Sequence, residues 1–217
     1  MKVVSRSEVL KKGRVVPIDY YLGTGRRIRV ILAYGYFKAI VPVLNPETIA
    51  VAKNLCAKFR AAPRGIRPFG PDYLFWRGQK KTVYMPTTIS PEQGSLAFKD
   101  EKAYAAFIKK ESRTYFLERM ELWKQRMNIN EDFKLRVTDS LGNLGSYSRR
   151  TLTVSLAVPL LAYTPHLTDA IIVHELAHHR ISAHSPAFYD LIYSYLPDYE
   201  QLEKQIREGY FEGVAYA

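Results

Sequence analysis

A single cysteine, Cys56, stands among 217 residues. That excludes an internal disulfide and any cysteine-built zinc knuckle, and it fits a reducing compartment; Cys56 itself reads as a small apolar residue buried in a helix. No apolar run approaches the ~20 residues needed to cross a bilayer. The opening M-K-V-V-S-R-S-E-V-L-K-K is charged and interrupted where a secretory signal is continuously apolar. We therefore expect a cytoplasmic chain without membrane contact. Histidine is scarce as well: there are five, and all lie in the nineteen residues from His166 to His184.

What is abundant is positive charge. The chain is 47% hydrophobic, enough for a substantial core, yet carries a net charge of +11. Residues 1–150 hold 29 Lys/Arg against 13 Asp/Glu, whereas residues 151–217 hold 3 against 8. A surface so basic concentrates anions of any kind, including nucleic acid, nucleotides, acidic protein and anionic lipid. Nonspecific contact with nucleic acid through the basic N-terminal part is one partner expectation. The oligomeric state is open.

Along the chain, a basic N-terminal leader is followed by Arg26–Ala33 and Tyr36–Pro42, β-rich runs separated by Tyr34-Gly35 that read as a hairpin. Asn45-Pro46 is a helix start, predicting a helix over the following P-E-T-I-A-V-A-K-N-L-C-A-K-F-R that covers the hairpin. Ala62–Pro71, with three prolines and two glycines, reads as a loop and an internal boundary. Short strands are expected near 73–76 and 82–85. From about Asp100 to Met127 helical spacing of apolar residues predicts one long or two abutting helices. Phe133–Thr138 and Arg150–Val158 read as strands joined by a turn-rich segment, D-S-L-G-N-L-G-S-Y-S. Thr168 and Asp169 are the N-terminal signals of a helix through A-I-I-V-H-E-L-A-H-H-R, with His166 a structural residue ahead of it.

On that helix His174 and His178 are about 400° apart, nearly eclipsed one turn from each other, so both imidazoles reach one ion. Glu175 lies one step round the cylinder, out of the ligand set but placed for a general base. His184 is the third ligand candidate. A continued helix would carry it about 600° from His178, onto the wrong face, so the helix must stop first. Ser185-Pro186 can cap a new helix and fold His184 back. Three neutral imidazoles with an open fourth position match catalytic Zn²⁺. His179 points off that face and reads as support or surface.

These residues resemble the YgjP-type metallopeptidase-like family, relatives of SprT and other zincin proteases. The strongest piece is A-I-I-V-H-E-L-A-H-H-R-I-S-A-H-S-P-A-F-Y-D-L-I-Y-S-Y-L-P-D-Y, similar to the family's H-E-L-x-H helix, its third-histidine segment and the P-D-Y that follows. Leu144–Leu156 resembles the family's W-G-S-C-S strand motif, and Arg26–Pro42 its N-terminal strand pair. Leu144 stands where tryptophan is usual, Tyr147 where cysteine is, Ser155 and Ala183 where asparagine is, and His179 where an apolar residue is common. The His174-to-His184 spacing also equals that of the metzincins, but Ile181 takes the place of their turn glycine.

The expected molecule is an α+β chain: residues 1–97 form a basic, β-rich region with one covering helix, and residues 98–217 a zincin-like metallohydrolase domain with a small sheet and the active-site helix. Its expected activity is zinc-dependent hydrolysis, foremost of peptides, with His174, His178 and His184 holding Zn²⁺ and Glu175 as general base. Tyr147, Arg180, Tyr189 and Tyr193 are candidate contacts to substrate or to a developing oxyanion. The resemblance also implies a nucleotide alternative, a pyrophosphatase acting on UTP. A third reading, prompted by the SprT kinship and the basic N-terminal part, is a nucleic-acid or complex-associated binding protein whose site is vestigial or serves DNA-linked proteins.

Overall fold

Lys12 and Gly13 both take positive φ, 49° and 76°, and there the chain reverses between two nine-residue strands, β1 (Val3–Lys11) and β2 (Arg14–Leu22). The basic leader is thus an ordered hairpin. The computed structural model describes residues 3–33, 36–59, 67–85, 94–140 and 143–208. The expected turn at Tyr34-Gly35 and residues 62–66 of the loop expected at 62–71 lie outside these residues. The strands flanking that turn are β3 (Arg29–Ala33) and β4 (Tyr36–Val41), an antiparallel pair as read from the sequence. Order in the sheet is β1-β2-β4-β3, with β2 and β4 parallel.

The sheet is covered by α1 (Pro46–Lys58). Asn45 accepts the Thr48 N–H, and Thr48 Oγ1 accepts from the Asn45 N–H, a reciprocal capping box that fixes the helix start. One face of β2 and β4, with Ile18, Tyr20, Phe37 and Ala39, buries against Ala52 and Cys56. At the other helix end, the buried Lys11 ammonium donates to the carbonyls of Ala57 and Phe59, which places a cation where the helix dipole favours one.

The chain divides into two compact units between Arg67 and Pro68. This lies inside the Pro/Gly-rich boundary segment and thirty residues before the expected division at 97/98. The reason is the hairpin of β5 (Tyr73–Trp76) and β6 (Gln79–Tyr84). Its turn residues Arg77 and Gly78 donate to the carbonyls of Leu161 and Ala162 at 2.8 and 2.9 Å, which binds the hairpin into the second unit. β7 (Leu96–Ala97) adds a third strand.

In the second unit Asp100 caps α2 (Glu101–Arg126), a single 26-residue helix. Its stripe of Tyr104, Ile108, Tyr115, Phe116, Met120 and Trp123 is buried. Three further strands follow, β8 (Lys134–Thr138), β9 (Gly145–Ser148) and β10 (Thr153–Ala157), in the order β8-β10-β9. β9 corrects the reading of its residues as turn: it is an antiparallel edge strand, paired to β10 on one side. A 3₁₀ turn over Val158–Ala162 leads to α3 (Pro165–Arg180), α4 (Pro186–Tyr193) and α5 (Tyr199–Glu208). The helix α3 starts earlier than expected, because Thr164 is the cap and Pro165 its first residue. Thr168 and Asp169 are buried instead within its first turns. Thr168 Oγ1 donates to Leu160 O at 3.2 Å, and Asp169 accepts two bonds from Arg119 of α2. His166 lies in that first turn too, 2.7 Å from Asp198.

Candidate metal centre

Helical spacing brings the His174 and His178 rings to 4.9 Å between centroids. The helix then ends where Ile181 turns extended (φ −126°, ψ 113°), and Ser185 opens α4 by accepting the Phe188 N–H. Between these two signals the chain folds back, and His184 Nε2 lies 3.0 Å from His174 Nε2. The ligand atoms of His174, His178 and His184 all lie within 4.8 Å of one another.

Two of the three imidazoles are oriented from behind. His178 Nδ1 lies 3.2 Å from the Ile181 carbonyl, which can only accept, so the proton is on Nδ1 and Nε2 keeps its lone pair. His174 Nδ1 lies 2.7 Å from the Tyr199 hydroxyl, and donation to that oxygen leaves its Nε2 equally available. Phe188, fully buried, stacks on His178 at 4.5 Å and meets His174 and His184 edge-on at 5.0 Å, forming an apolar floor to the cluster.

Burial sets the protonation states. It lowers the His174 pKa to about 4, helped by the neighbouring His178 and His184, and it lowers that of His178 as well; both rings are therefore neutral at pH 7. Glu175 is 7% exposed, and burial raises its carboxyl to about 7. β9 passes directly against it. A Cβ at Gly145 would stand 2.6 Å from Glu175 Oε1 and 2.8 Å from Ile171 Cγ2, so only glycine lets the strand and the carboxylate coexist.

A metal fits this arrangement. Three imidazoles converge, two of them with the tautomer set by a partner, a donor set that suits Zn²⁺ and other imidazole-binding metals. Two nitrogens bound to a tetrahedral zinc ion lie ~3.3 Å apart, close to the His174–His184 separation.

The four candidate substrate contacts divide evenly. Tyr189 stacks beside His184 at 6.3 Å, and Tyr193, exposed, meets the Tyr199 ring at 6.3 Å. Tyr147 and Arg180 are turned elsewhere. The Tyr147 hydroxyl lies 3.0 Å from His179 Nδ1, whose Nε2 is 3.1 Å from Glu131, and Phe133 packs edge-on to both rings. Two residues that stand out against the family pattern, Tyr147 and His179, are therefore each other's partner and tie β9 to α3. Arg180 donates to the Met127 and Asn128 carbonyls at the end of α2. Tyr199, Phe188 and Gly145 escaped the sequence reading as site residues. Their signals were present in P-D-Y, in the aromatic residue after Ser185-Pro186 and in L-G-S-Y-S.

A three-histidine cluster with a buried glutamate, set on a helix beside a small sheet, defines a metallopeptidase-like domain. Residues 78–209 match the family described as YgjP-like, metallopeptidase domain, and the chain belongs to that family. Among solved structures it is similar to the metallopeptidase zymogen of Pyrococcus abyssi abylysin, with 22% identity and a TM-score of 0.39 over 41% of this chain and 89% of that one. It is similar also to the metallopeptidase zymogen of Methanocaldococcus jannaschii jannalysin, with 23% identity and a TM-score of 0.39 over 42% and 92%. No curated protein matches the chain.

Proposed function

We propose that the chain is a zinc-dependent peptidase in which His174, His178 and His184 hold the metal and Glu175 is the general base. The observation that carries this is the convergence of three imidazoles, two of them oriented by partners, beside a carboxylate that burial has brought to a pKa of about 7. A zinc ion bound there would acidify a water toward pH ~7 and polarise a carbonyl. Glu175 accepts the water's proton and returns it to the leaving amine, a shuttle for which a pKa near neutrality is well matched. Tyr189, whose ring stacks beside His184, and Tyr193, whose ring meets Tyr199, supply hydroxyls for the developing oxyanion.

The edge strand favours a peptide substrate over a nucleotide. Leu144 O accepts from Ala157 N at 2.9 Å, which sets the phase of the antiparallel ladder. The main-chain groups of Gly145 and Tyr147 then face away from β10, and among the described residues they have no main-chain partner there. An extended peptide can add to such an edge by main-chain hydrogen bonds. Polyphosphate would need cations at the cluster, but Arg180, next to it in sequence, is committed to the end of α2.

The test is Glu175→Gln, which leaves the ligands intact. Zinc content by elemental analysis should stay near one ion per chain while hydrolysis of a mixed peptide library falls by roughly 100-fold or more. Undiminished hydrolysis would refute Glu175 as base, and loss of zinc in the parent chain would refute the site.

A further inference from the structure

Divided at Arg67–Pro68, the charge of the chain separates completely. Residues 1–67 hold 14 Lys/Arg against 3 Asp/Glu, whereas residues 68–217 hold 18 of each. The entire net charge of +11 therefore belongs to the first unit. A division at residue 150 blurs this, because 8 of the second unit's acids follow that point with only 3 of its cations.

Burial sharpens the imbalance. Asp19 is fully buried, paired to Arg67 at 2.6 Å and to Arg6 at 3.3 Å, so its charge is cancelled inside the fold. Glu8 and Glu47 remain as the acids on the surface of the unit. Against them Arg6, Lys12, Arg14, Arg26, Arg27 and Arg29 are exposed. These cations do not converge into a pocket. Lys12 and Arg14 lie at the turn that begins β2, and Arg26 and Arg27 follow its other end, roughly 27 Å away for a strand of this length. Arg6 pairs across from Asp19 in the same sheet, between the two.

A string of cations this long complements a linear polyanion better than a small anion, which needs donors aimed at one point. Five of the six are arginine, whose planar fork matches phosphate oxygens. Duplex DNA carries one charge per ~1.7 Å, so it offers phosphates along the whole string. Base reading is another matter. Among the described residues of the unit the helix is α1, whose exposed side chains are mixed, Val51 and Leu55 beside Asn54 and Lys58, without a row of the donors and acceptors that base edges require.

We propose that residues 1–67 form a nucleic-acid docking unit that grips the phosphate backbone without reading sequence. Engaging about four phosphates predicts roughly 100-fold weaker binding when salt rises from about 50 to about 200 mM.

The experiment uses the full chain and a fluorescein-labelled DNA duplex of arbitrary sequence, followed by anisotropy across that salt range. Lys12→Glu/Arg14→Glu and Arg26→Glu/Arg27→Glu should each weaken binding at least tenfold. Lys109→Glu/Lys110→Glu, on exposed positions of α2, should change it less than twofold, and zinc content should be the same in all. The steep salt dependence of the parent chain is read independently of how any variant folds. No binding at low salt, binding insensitive to salt, or equal weakening by the α2 pair would each overturn the proposal. So would capture by anionic phosphatidylserine vesicles with none by the duplex, which would assign the surface to a membrane instead.

Discussion

The hydroxyl of Tyr199 is a side-chain partner of His174 behind the cluster, and it comes from the far side of α4, twenty-five residues along the chain. Tyr199→Phe keeps the ring and removes that partner. Zinc affinity, measured by competition with a chromophoric chelator, should fall roughly 10-fold to 100-fold. An unchanged affinity would show that packing alone orients His174. The buried ionisable pair also makes a pH prediction. In metal-free protein His174 has its pKa lowered to about 4, so below 6.5 the unfolded chain takes up a proton that the folded one refuses, and stability falls as pH drops toward 4. Glu175 has its pKa raised to about 7, so the folded chain keeps a proton that the unfolded one gives up above 4.5, and stability falls as pH rises toward 7. Between these limits the two slopes oppose each other. Glu175→Gln removes the second and should expose the first, a loss of about 1–3 kcal/mol between pH 6.5 and 4 in chelator-treated protein. Parallel pH profiles for parent and variant would contradict it.

The helix α3 holds its place through Asp169, whose carboxylate takes two bonds from Arg119, the Nε contact at 2.7 Å. Asp169 is 4% exposed, and its removal leaves a part-buried guanidinium without its partner. Asp169→Ala should destabilise the second unit by about 3 kcal/mol, read from denaturant unfolding. A change below about 0.5 kcal/mol would place the pair among surface ion pairs. The same pair shows why the start of α3 was misread. Thr and Asp are cap residues by local preference, but here tertiary partners hold both within the helix, and Thr164-Pro165 supplies the start. β9 was missed for a related reason. Gly-Ser-Tyr-Ser has turn composition, and it becomes a strand because β10 pairs with it and Glu175 requires the glycine.

Each of the two units has a buried core of its own, and the three histidines proposed to hold the metal lie in the second. Among the described residues no helix is long and apolar enough to cross a membrane. Zinc added to metal-free protein should therefore slow amide hydrogen exchange in α3, α4 and β9 while leaving β1 to β4 unchanged, because binding stabilises the structure that forms the site. Equal protection in β1 to β4 would show that the two cores unfold as one.

Local spacing in the sequence determined the histidine cluster. An H-E-L-A-H helix presents two imidazoles on one face by geometry alone, and Ser185-Pro186 can turn the chain back within a few residues, so His174, Glu175, His178 and His184 were legible without a fold. The cap at Asn45, the single long helix α2 and the β3–β4 pair were legible for the same reason: each is set by neighbours in sequence. Tertiary structure decided what depends on distant partners. It turned Tyr147 toward His179 and Arg180 toward the end of α2, and it brought Tyr199 behind His174. It also drew β5 and β6 into the second unit and so left the whole net charge in the first. Such choices follow from hydrogen bonds and burial between segments far apart in the chain, which no local pattern records.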